Sequence, residues 1–308
     1  MSAGDGAALD AALLERVAVF RGQACQVEPL PGGLTNKNYK VSTPGGTYVL
    51  RLSTPASADE LAVDRRAEYE NSVRAAAAGV GAPVVEFLPD DGILVIGFLE
   101  GVTLSDEHLQ KPGMLPRVAE ACRRLHGGEP FVNRFDMFEL QSEYLGRVQR
   151  RGFRLPQGYL DHADAVGRIH DALAVRPAAL RPCHNDLLAA NFIDDGRAVS
   201  IIDYEYSGNN DPYFELGNIW SECHLALEQL EELVEAYDGR PSRSHVARAR
   251  LWGLMSQYGW TLWASIQDGT SSLDFDFWTW GLEKYERAEA TFAGPELERL
   301  LADVTRAD

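Results

Sequence analysis

The chain lacks any long apolar run and carries comparatively few basic residues. None of its hydrophobic stretches approaches the roughly eighteen residues that span a bilayer, so membrane insertion is not expected. Lysine and arginine number 29 against 46 aspartates and glutamates, which gives a formal net charge of −17. Nucleic-acid binding calls for a basic face, so no nucleic-acid partner is expected. The charge favours a cationic partner through long-range attraction, although solubility alone would also account for it.

Cysteine is scarce, and two common motifs are missing. The four cysteines form no C-x-x-C pair, which argues against a disulfide framework or a zinc site and favours reduced, buried thiols. No G-x-x-x-x-G-K-[ST] sequence occurs, so a P-loop nucleotide site is excluded. The N-terminus carries acidic residues early and lacks the basic start of a secretory signal, so a cytoplasmic location is expected.

The most informative segment spans residues 183–222 and begins with a His-x-Asp loop. Asp186 is followed five residues later by Asn191, and a second acid, Asp203, ends an apolar strand. Phosphoryl transfer needs an oriented nucleophile, metal ligands and compensation of the phosphate charge. Carboxylate and amide oxygens are hard ligands that suit Mg²⁺. We therefore predict Asp186 as the base that orients a substrate hydroxyl, with Asn191 and Asp203 as the magnesium ligands.

A hairpin is expected to bring these three residues together. Two short apolar runs flank the turn Asp194-Asp195-Gly196, a pattern typical of a β-hairpin. The loop with Asp186 enters this hairpin and Asp203 leaves it, so the two carboxylates should lie close in space. His184 is predicted to support the loop rather than to carry protons. The alternative is an ordinary polar loop with a capping aspartate, which explains any one of these residues but not their spacing.

This segment resembles the aminoglycoside phosphotransferase and choline kinase superfamily, which shares the protein-kinase fold. Within it, IDYEYSGNNDPYFELGN is similar to the choline/ethanolamine kinase branch, and the similarity extends from about Leu30 to Phe292. The resemblance implies an α+β, bilobal protein-kinase-like fold, with a small mixed sheet-plus-helix N-lobe and a larger, mainly helical C-lobe. A nucleotide-binding lobe is expected over residues 1–100, and a catalytic and acceptor-binding lobe over residues 101–308.

The same resemblance gives the nucleotide-binding residues. Taken alone, the glycine-rich segment at residues 32–36 would indicate a plain turn. In a kinase it is expected to cover the ATP phosphates, because glycine lets backbone N–H groups approach them. Adenine should lie against the hinge near residues 98–100. The residues implied in this loop are Gly32, Gly33, Thr35 and Asn36.

Arg51 ends the strand on which protein kinases carry a phosphate-binding lysine, and choline kinases often resemble this chain in having arginine there. A guanidinium can serve two phosphate oxygens at once. A charged residue at an exposed strand end is the alternative. Its partner on the following helix should be an acid. The family position favours Glu70, nine residues before Gly79, with Glu68 as the alternative.

Five of the six tryptophans lie between residues 252 and 280. Aromatic faces attract quaternary ammonium ions, although a packed helical core would show the same enrichment. The sequence WTLWASIQDGTSSLDFDF resembles the choline-kinase segment that supplies the acceptor pocket. Glu222 falls where choline kinases place an acid near the ammonium group, while Glu205 and Glu215 are expected to brace the loop. The pocket residues implied are Tyr206, Glu222, Trp260, Trp263, Phe275 and Trp280.

Two positions depart from the family pattern. Leu188 stands where many eukaryotic choline kinases have glutamine, and Trp280 where they usually have tyrosine.

Taken together, these motifs predict an ATP- and Mg²⁺-dependent phosphotransferase acting on the hydroxyl of choline or a closely related small amino-alcohol. The alternatives are an aminoglycoside or sugar phosphotransferase of the same superfamily, or a non-catalytic kinase-fold protein that binds nucleotide or amine.

Overall fold

A computed structural model describes residues 11–31, 36–53, 61 and 63–307. Its N-terminal part is built on a five-stranded antiparallel sheet, whose strands are β1 (Gln26–Leu30), β2 (Lys37–Thr43), β3 (Gly46–Leu52), β4 (Val84–Leu88) and β5 (Ile93–Gly97). The strands lie in the order β1-β2-β3-β5-β4. The alternating residues around Pro44-Gly45-Gly46 predict a hairpin, and this is confirmed, since β2 and β3 pair from Lys37↔Leu52 to Thr43↔Gly46.

This sheet has a small apolar core of its own. Alternate residues of its central strands, among them Leu50, Ile93 and Val95, are fully buried. Val17 and Phe20, just after the short N-terminal helix Ala11–Arg16, pack against them. The core holds the strands together, and it also fixes β3, whose last residues reach the cavity described below.

The helix Arg65–Ala77 follows β3 in the chain and buries a polar face. Asp64 caps its first turn by accepting hydrogen bonds from the backbone of Arg66 and Ala67. Its buried positions include Glu68, Asn71 and Ser72, spaced as one face of a helix. A helix was predicted from Asp59 to Ala78, but residues 59, 60 and 62 lie outside the described part of the chain.

The C-terminal part is mainly helical, as predicted. The sequence predicts a helix over roughly residues 159–175, and this helix opens with a 3-10 turn, Tyr159–His162. It predicts another over roughly residues 215–227, which instead begins at Pro212, after its cap Asp211, and ends at Glu222. The principal helices are Met114–His126, Met137–Arg151, Ala163–Val175, Pro212–Glu222, Arg243–Thr270 and Phe277–Phe292, and the prediction missed three more, Asp106–Leu109, Leu227–Asp238 and Glu296–Val304.

Two small sheets complete this part. Strand β7 (Arg181–Cys183) pairs with β10 (Gly208–Asn210). Strand β6 (Val102–Thr103) pairs with β8 (Phe192–Asp194), which pairs with β9 (Val199–Ile201). The five-stranded sheet ends at Gly97, just before this change of architecture. The α+β fold class is therefore confirmed, while the domain boundary at residue 100 stays a prediction.

Helices Pro212–Glu222 and Arg243–Thr270 approach each other unusually closely at two glycines. A Cβ on Gly217 would collide with the carbonyl oxygen of Ala249, and one on Gly253 would lie 2.8 Å from the Gly217 oxygen. The close approach lets Asn218 donate from Nδ2 to Ser256 Oγ at 2.9 Å. Within the described part of the chain, no helix is both long enough and apolar enough to cross a membrane.

Candidate active site

The hairpin formed by β8 and β9 gathers the predicted catalytic and metal-binding residues at one end. The backbone N–H of Ile202 donates to the Asn191 carbonyl at 3.0 Å. Asn191 Nδ2 in turn donates to the backbone carbonyl of Asp186 at 2.8 Å. Asn191 and Asp203 line the same cavity, whose volume is about 400 Å³. The three residues thus form one unit, because Asn191 is hydrogen-bonded to Asp186 and to Ile202, the residue that precedes Asp203.

His184 supports this unit from beneath. It is fully buried, and its Nε2 lies 2.8 Å from the Ile202 carbonyl, which can only accept a hydrogen bond. Its Nδ1 accepts from the backbone N–H of Asp186 at 3.2 Å. Burial lowers the pKa of the imidazole below its usual value. With both ring nitrogens engaged and the ring neutral, His184 has the supporting role that was predicted.

Glu215 and Asn218 hold the loop from the helix Pro212–Glu222. The Glu215 carboxylate is fully buried and accepts from the backbone N–H groups of His184, at 2.9 Å, and Asn185, at 2.8 Å. Burial opposes its ionisation, but hydrogen bonding and charge from His126 act the other way, and the net pKa is lowered. Asn218 Oδ1 accepts from the Leu187 N–H at 2.6 Å. The expected bracing role of Glu215 is confirmed.

The carboxyl group of Asp186 lies in an electrostatic environment that favours its protonated form. Burial is the main cause that raises its pKa well above the usual range. The carboxylates of Glu222, Glu205 and Asp203 raise it further, and the Lys284 ammonium opposes them. A carboxylate with a raised pKa is a stronger base, which suits a group that must accept a proton from an alcohol.

Asn191 and Asp203 fit a magnesium ion by the chemistry of their donor atoms. Because Asn191 Nδ2 is committed to the Asp186 carbonyl, its free side-chain atom is the amide oxygen. The Asp203 side chain is 29% exposed, and both residues face one cavity. Asp203 also has a positive φ of 72°, which is uncommon for a residue other than glycine and is found at functional sites. Hard oxygen ligands of this kind are those that Mg²⁺ takes.

Arg51 is buried at the end of β3 and contacts three carboxylates. Its guanidinium lies 2.6 Å from Glu68, 2.7 Å from Asp203 and 2.9 Å from Glu205. Burial lowers the pKa of Arg51, but these carboxylates raise it by more, so the group stays charged. Arg65 adds a second guanidinium, 2.9 Å from Glu68. Two guanidinium groups and three carboxylates therefore meet at the end of β3.

The preference for Glu70 as the partner of Arg51 was wrong. The partner is Glu68, which is only 3% exposed, whereas Glu70 pairs with Arg66 at 3.1 Å on the outer side of the helix. Two residues turn a helix by about 200°, so Glu68 and Glu70 cannot share a face. Glu68 lies on the buried polar face with Asn71, and there it meets Arg51.

Asn36 is the residue of the glycine-rich loop that the structure describes. It is buried, donates from Nδ2 to Glu205 Oε2 at 2.9 Å and accepts from Ser53 Oγ at 2.7 Å. Glu205 thereby links the start of β2 to the segment after Asp203, as a bracing residue would. Nucleotide binding by Asn36 stays a prediction, while Gly32, Gly33 and Thr35 lie outside the described residues.

The 400 Å³ cavity is apolar on one side and polar on the other. Its polar side carries Arg51, Asn191 and Asp203. Phe98 and Leu99 line it at the predicted hinge, and the Phe98 N–H donates to the Thr47 carbonyl. Such a slot suits a flat base with an anionic tail. Its apolar walls come from the sheet through Val49 and Ile96, from Ala82 just before β4, and from the hairpin through Ile193 and Ile202.

The aromatic residues predicted for the acceptor pocket form one cluster. Tyr206, Trp260 and Trp263 are each less than 8% exposed. The rings of Tyr206 and Trp260 meet edge to face with centroids 4.9 Å apart, and Trp263 Nε1 donates to the Tyr206 hydroxyl at 2.8 Å. Trp280 packs 5.6 Å from Trp263, and the exposed Phe275 lies 6.5 Å from Trp280. These rings are therefore neighbours, and those of Tyr206, Trp260 and Trp263 are buried within the cluster.

A second cavity, of about 660 Å³, lies beside this cluster and contains a residue that the sequence did not reveal. Glu222 and Trp280 line it, as does Lys284. Lys284 is 2% exposed, forms an ion pair with Glu222 Oε2 and places its Nζ 4.0 Å from the centre of the Trp280 ring. Lys284 follows Trp280 by four residues on one helix, so their contact was available from helical spacing. Its pairing with Glu222 was not.

Comparison with known proteins gives matches along most of the chain. Residues 26–252 match the model of the phosphotransferase enzyme family, APH. The crystal structure of a choline/ethanolamine kinase family protein from Mesorhizobium loti is 34% identical, with a TM-score of 0.84, over 96% of this chain and 97% of that chain.

Two further matches carry the name LicA. Protein LicA of Haemophilus influenzae is 28% identical over 247 residues, which cover 77% of this chain and 72% of LicA. The crystal structure of choline kinase LicA from Streptococcus pneumoniae has the same fold, with a TM-score of 0.76 and 23% identity, over 92% of this chain and 98% of that chain.

Proposed function

This chain belongs to the choline/ethanolamine kinase family of phosphotransferases, and from that premise we propose that it transfers the γ-phosphoryl group of ATP to the hydroxyl of a small amino-alcohol. Membership of the family makes it a kinase with an alcohol acceptor. The observation that carries the proposal is the unit of Asp186, Asn191 and Asp203, held together by backbone and amide hydrogen bonds beside an apolar cavity.

Asp186 is the proposed base. Its carboxylate orients the acceptor hydroxyl and takes its proton as the hydroxyl oxygen bonds to the γ-phosphorus and the bond to the β,γ-bridging oxygen breaks. The raised pKa of Asp186 supports this role, because a more basic carboxylate accepts a proton more readily. The firm backbone contacts of the loop, through His184 and Glu215, keep the carboxylate in place during transfer.

Asn191 and Asp203 are the proposed ligands of Mg²⁺. The ion supplies positive charge to the phosphate oxygens when it is bound. Arg51 is proposed to add charge at the same end of the cavity. Glu68 and Glu205 fix the direction of its guanidinium, and buried ion pairs of this kind hold a side chain in one orientation.

The nucleotide base is proposed to lie in the 400 Å³ cavity. Its walls come from the sheet above and from the hairpin below, and Phe98 and Leu99 close it at the hinge. With Arg51 and Asp203 at the other end, the phosphates would point toward the catalytic loop. The glycine-rich loop at residues 32–36 is proposed to cover them.

The acceptor is proposed to enter the 660 Å³ cavity as a cation. Four carboxylates line this cavity against the two basic side chains Lys284 and Arg287, so its potential is negative at neutral pH. Ala189 and Ala190, which precede Asn191, belong to its wall, and this brings it to the catalytic loop. The carboxylates are Asp106, Glu107, Glu222 and Glu283.

The test is a coupled assay of ADP release with Mg²⁺ and ATP in the presence of choline, ethanolamine, a hexose or an aminoglycoside. We expect turnover with a small amine, and a phosphorylated amine in the ³¹P NMR spectrum. ADP release with the aminoglycoside or the hexose alone would replace the proposed acceptor by that compound. Absence of turnover with every acceptor would contradict a phosphotransferase and favour a binding role.

A further inference from the structure

Lys284 occupies the position that a substrate ammonium would be expected to take. Its Nζ forms an ion pair with Glu222, and it lies 4.0 Å from the centre of the Trp280 ring. A carboxylate and an aromatic face are the two groups that would otherwise bind a quaternary ammonium. In this protein Glu222 and Trp280 already contact a cation of the chain itself, Lys284. All three residues line the 660 Å³ cavity.

The other oxygen of Glu222 is left without a partner. Glu222 Oε2 contacts Lys284, whereas Glu222 Oε1 accepts no hydrogen bond from any described residue. The side chain is 97% buried, since only 3% of it is exposed. A buried carboxylate oxygen that accepts nothing is costly, and an N–H donor from a ligand would remove that cost.

The remaining aromatic residues offer no ready cage for a bulky cation. Among the described residues, Trp280 is the only tryptophan, tyrosine or phenylalanine that lines this cavity. Trp260 and Tyr206 face each other, and the Trp263 indole N–H is bonded to the Tyr206 hydroxyl. A trimethylammonium group would therefore find one ring, whose face Lys284 already covers, and an oxygen to which it cannot donate.

We propose that Lys284 is a specificity-determining residue, which makes the acceptor site select amino-alcohols whose ammonium group carries at least one N–H. This inference rests on the proposed function. Lys284 neutralises the charge of the Glu222 carboxylate and covers Trp280, so these two groups no longer retain the substrate by charge alone. The free oxygen of Glu222 then accepts a hydrogen bond from a primary, secondary or tertiary ammonium, and a quaternary ammonium cannot supply it.

The experiment is a series of acceptors that gain one methyl group at a time: ethanolamine, N-methylethanolamine, N,N-dimethylethanolamine and choline. All four are cations at neutral pH, and only choline lacks an N–H. We expect kcat/KM to change by less than about threefold over the first two methyl groups and to fall about tenfold or more at the third, as happens when a buried acceptor is left unpaired.

A gradual fall spread over all three steps would show that size decides, and would overturn the inference while leaving the proposed function intact. The inference would also be overturned if choline were used as well as N,N-dimethylethanolamine. If no member of the series were phosphorylated, the proposed function would fail, and the inference with it. The wild-type protein suffices for each of these outcomes.

Substitutions test whether Lys284 causes the selectivity against choline. In Lys284→Met the ring of Trp280 and both oxygens of Glu222 become available, so the kcat/KM of choline relative to N,N-dimethylethanolamine should rise about tenfold. Lys284→Arg, which keeps the cation, should retain the wild-type ratio. Glu283→Gln removes another carboxylate of the cavity without touching Lys284, and should also leave the ratio unchanged. An unchanged ratio in folded Lys284→Met would refute the assignment.

Discussion

Arg51 and Lys284 are both buried cations in a cavity wall, yet their surroundings differ. Arg51 and its neighbour Arg65 meet three carboxylates, those of Glu68, Asp203 and Glu205. Lys284 has one carboxylate, Glu222, and one aromatic ring. The first group keeps a net negative charge that can receive a metal ion. In the second group the charges of Lys284 and Glu222 balance each other, so this pair adds little to the attraction that the other carboxylates of the cavity exert on a cationic acceptor, and selection at the pair depends on a hydrogen bond.

Asp186 is affected by the charges of both groups, and its substitution should have the largest effect. Burial raises its pKa most, the carboxylates of Glu222, Glu205 and Asp203 raise it further, and Lys284 lowers it. Asp186→Asn should reduce kcat by about 10²- to 10⁴-fold, the usual contribution of a general base. Stability should not fall, since a buried carboxylate is replaced by a neutral group. Steady-state kinetics with a thermal melt would check this, and a kcat within tenfold of wild type would contradict the assigned role.

Removal of Arg51 should lower the free energy of unfolding by more than removal of Lys284. Arg51→Met leaves three carboxylates beside a single guanidinium, and we expect a loss of about 3–5 kcal/mol in the free energy of unfolding. Lys284→Met leaves a single unpaired carboxylate, so its cost should be smaller. Urea denaturation of the two variants at neutral pH makes the comparison. An equal or larger loss in Lys284→Met would show that the Arg51 group is not the more strongly coupled one.

Glu68 and Glu70 lie on the same helix, so the same substitution can be compared at both positions. Glu68→Gln removes a buried partner of Arg51 and should cost about 1–3 kcal/mol in stability, with a raised KM for ATP. Glu70→Gln removes an outward-facing ion pair with Arg66 and should change stability by less than about 0.5 kcal/mol. Denaturation and ATP kinetics measure both. A larger rise in the KM for ATP in Glu70→Gln than in Glu68→Gln would contradict the assignment of Glu68 as the residue that positions Arg51 for ATP.

The pH dependence should shift in opposite directions in two variants. Catalysis needs ionised Asp186, so kcat/KM should rise with pH through its raised pKa. Lys284 lowers that pKa and Glu222 raises it, so Lys284→Met should move the acidic limb to higher pH and Glu222→Gln to lower pH. The same raised pKa stabilises the fold where Asp186 is protonated, and that contribution is lost as the pH rises through it. Shifts in the same direction in both variants would contradict this account.

The arrangement of Asp186, Asn191 and Asp203 around one hairpin could be predicted because these residues lie close together in the sequence. The hairpin between β8 and β9 follows from its turn and its apolar runs, and Asp186, Asn191 and Asp203 flank it directly. Short-range spacing therefore carries three-dimensional information here. The helix Leu227–Asp238 also had a readable pattern, since Leu227, Leu230, Leu233 and Val234 share one face, and its omission was an error of interpretation.

The choice between Glu68 and Glu70 could not be made in this way. The helix Arg65–Ala77 buries Glu68, Asn71 and Ser72, so hydrophobic periodicity does not mark its inner face. The burial of Lys284 was hidden for a similar reason. Its partner Glu222 lies 62 residues earlier, on another helix, and a lysine within a helical pattern is ordinarily exposed. Polar groups buried against distant polar groups leave no periodic signal.

The acceptor contacts and the transfer groups come from separate elements of the chain. Asp186, Asn191 and Asp203 are tied to one another through backbone bonds around a hairpin, whereas Trp280 and Lys284 belong to the helix Phe277–Phe292. Substitutions on that helix can therefore alter which alcohol is accepted while the transfer groups keep their positions. In this arrangement the choice of alcohol and the transfer of the phosphoryl group can be altered separately.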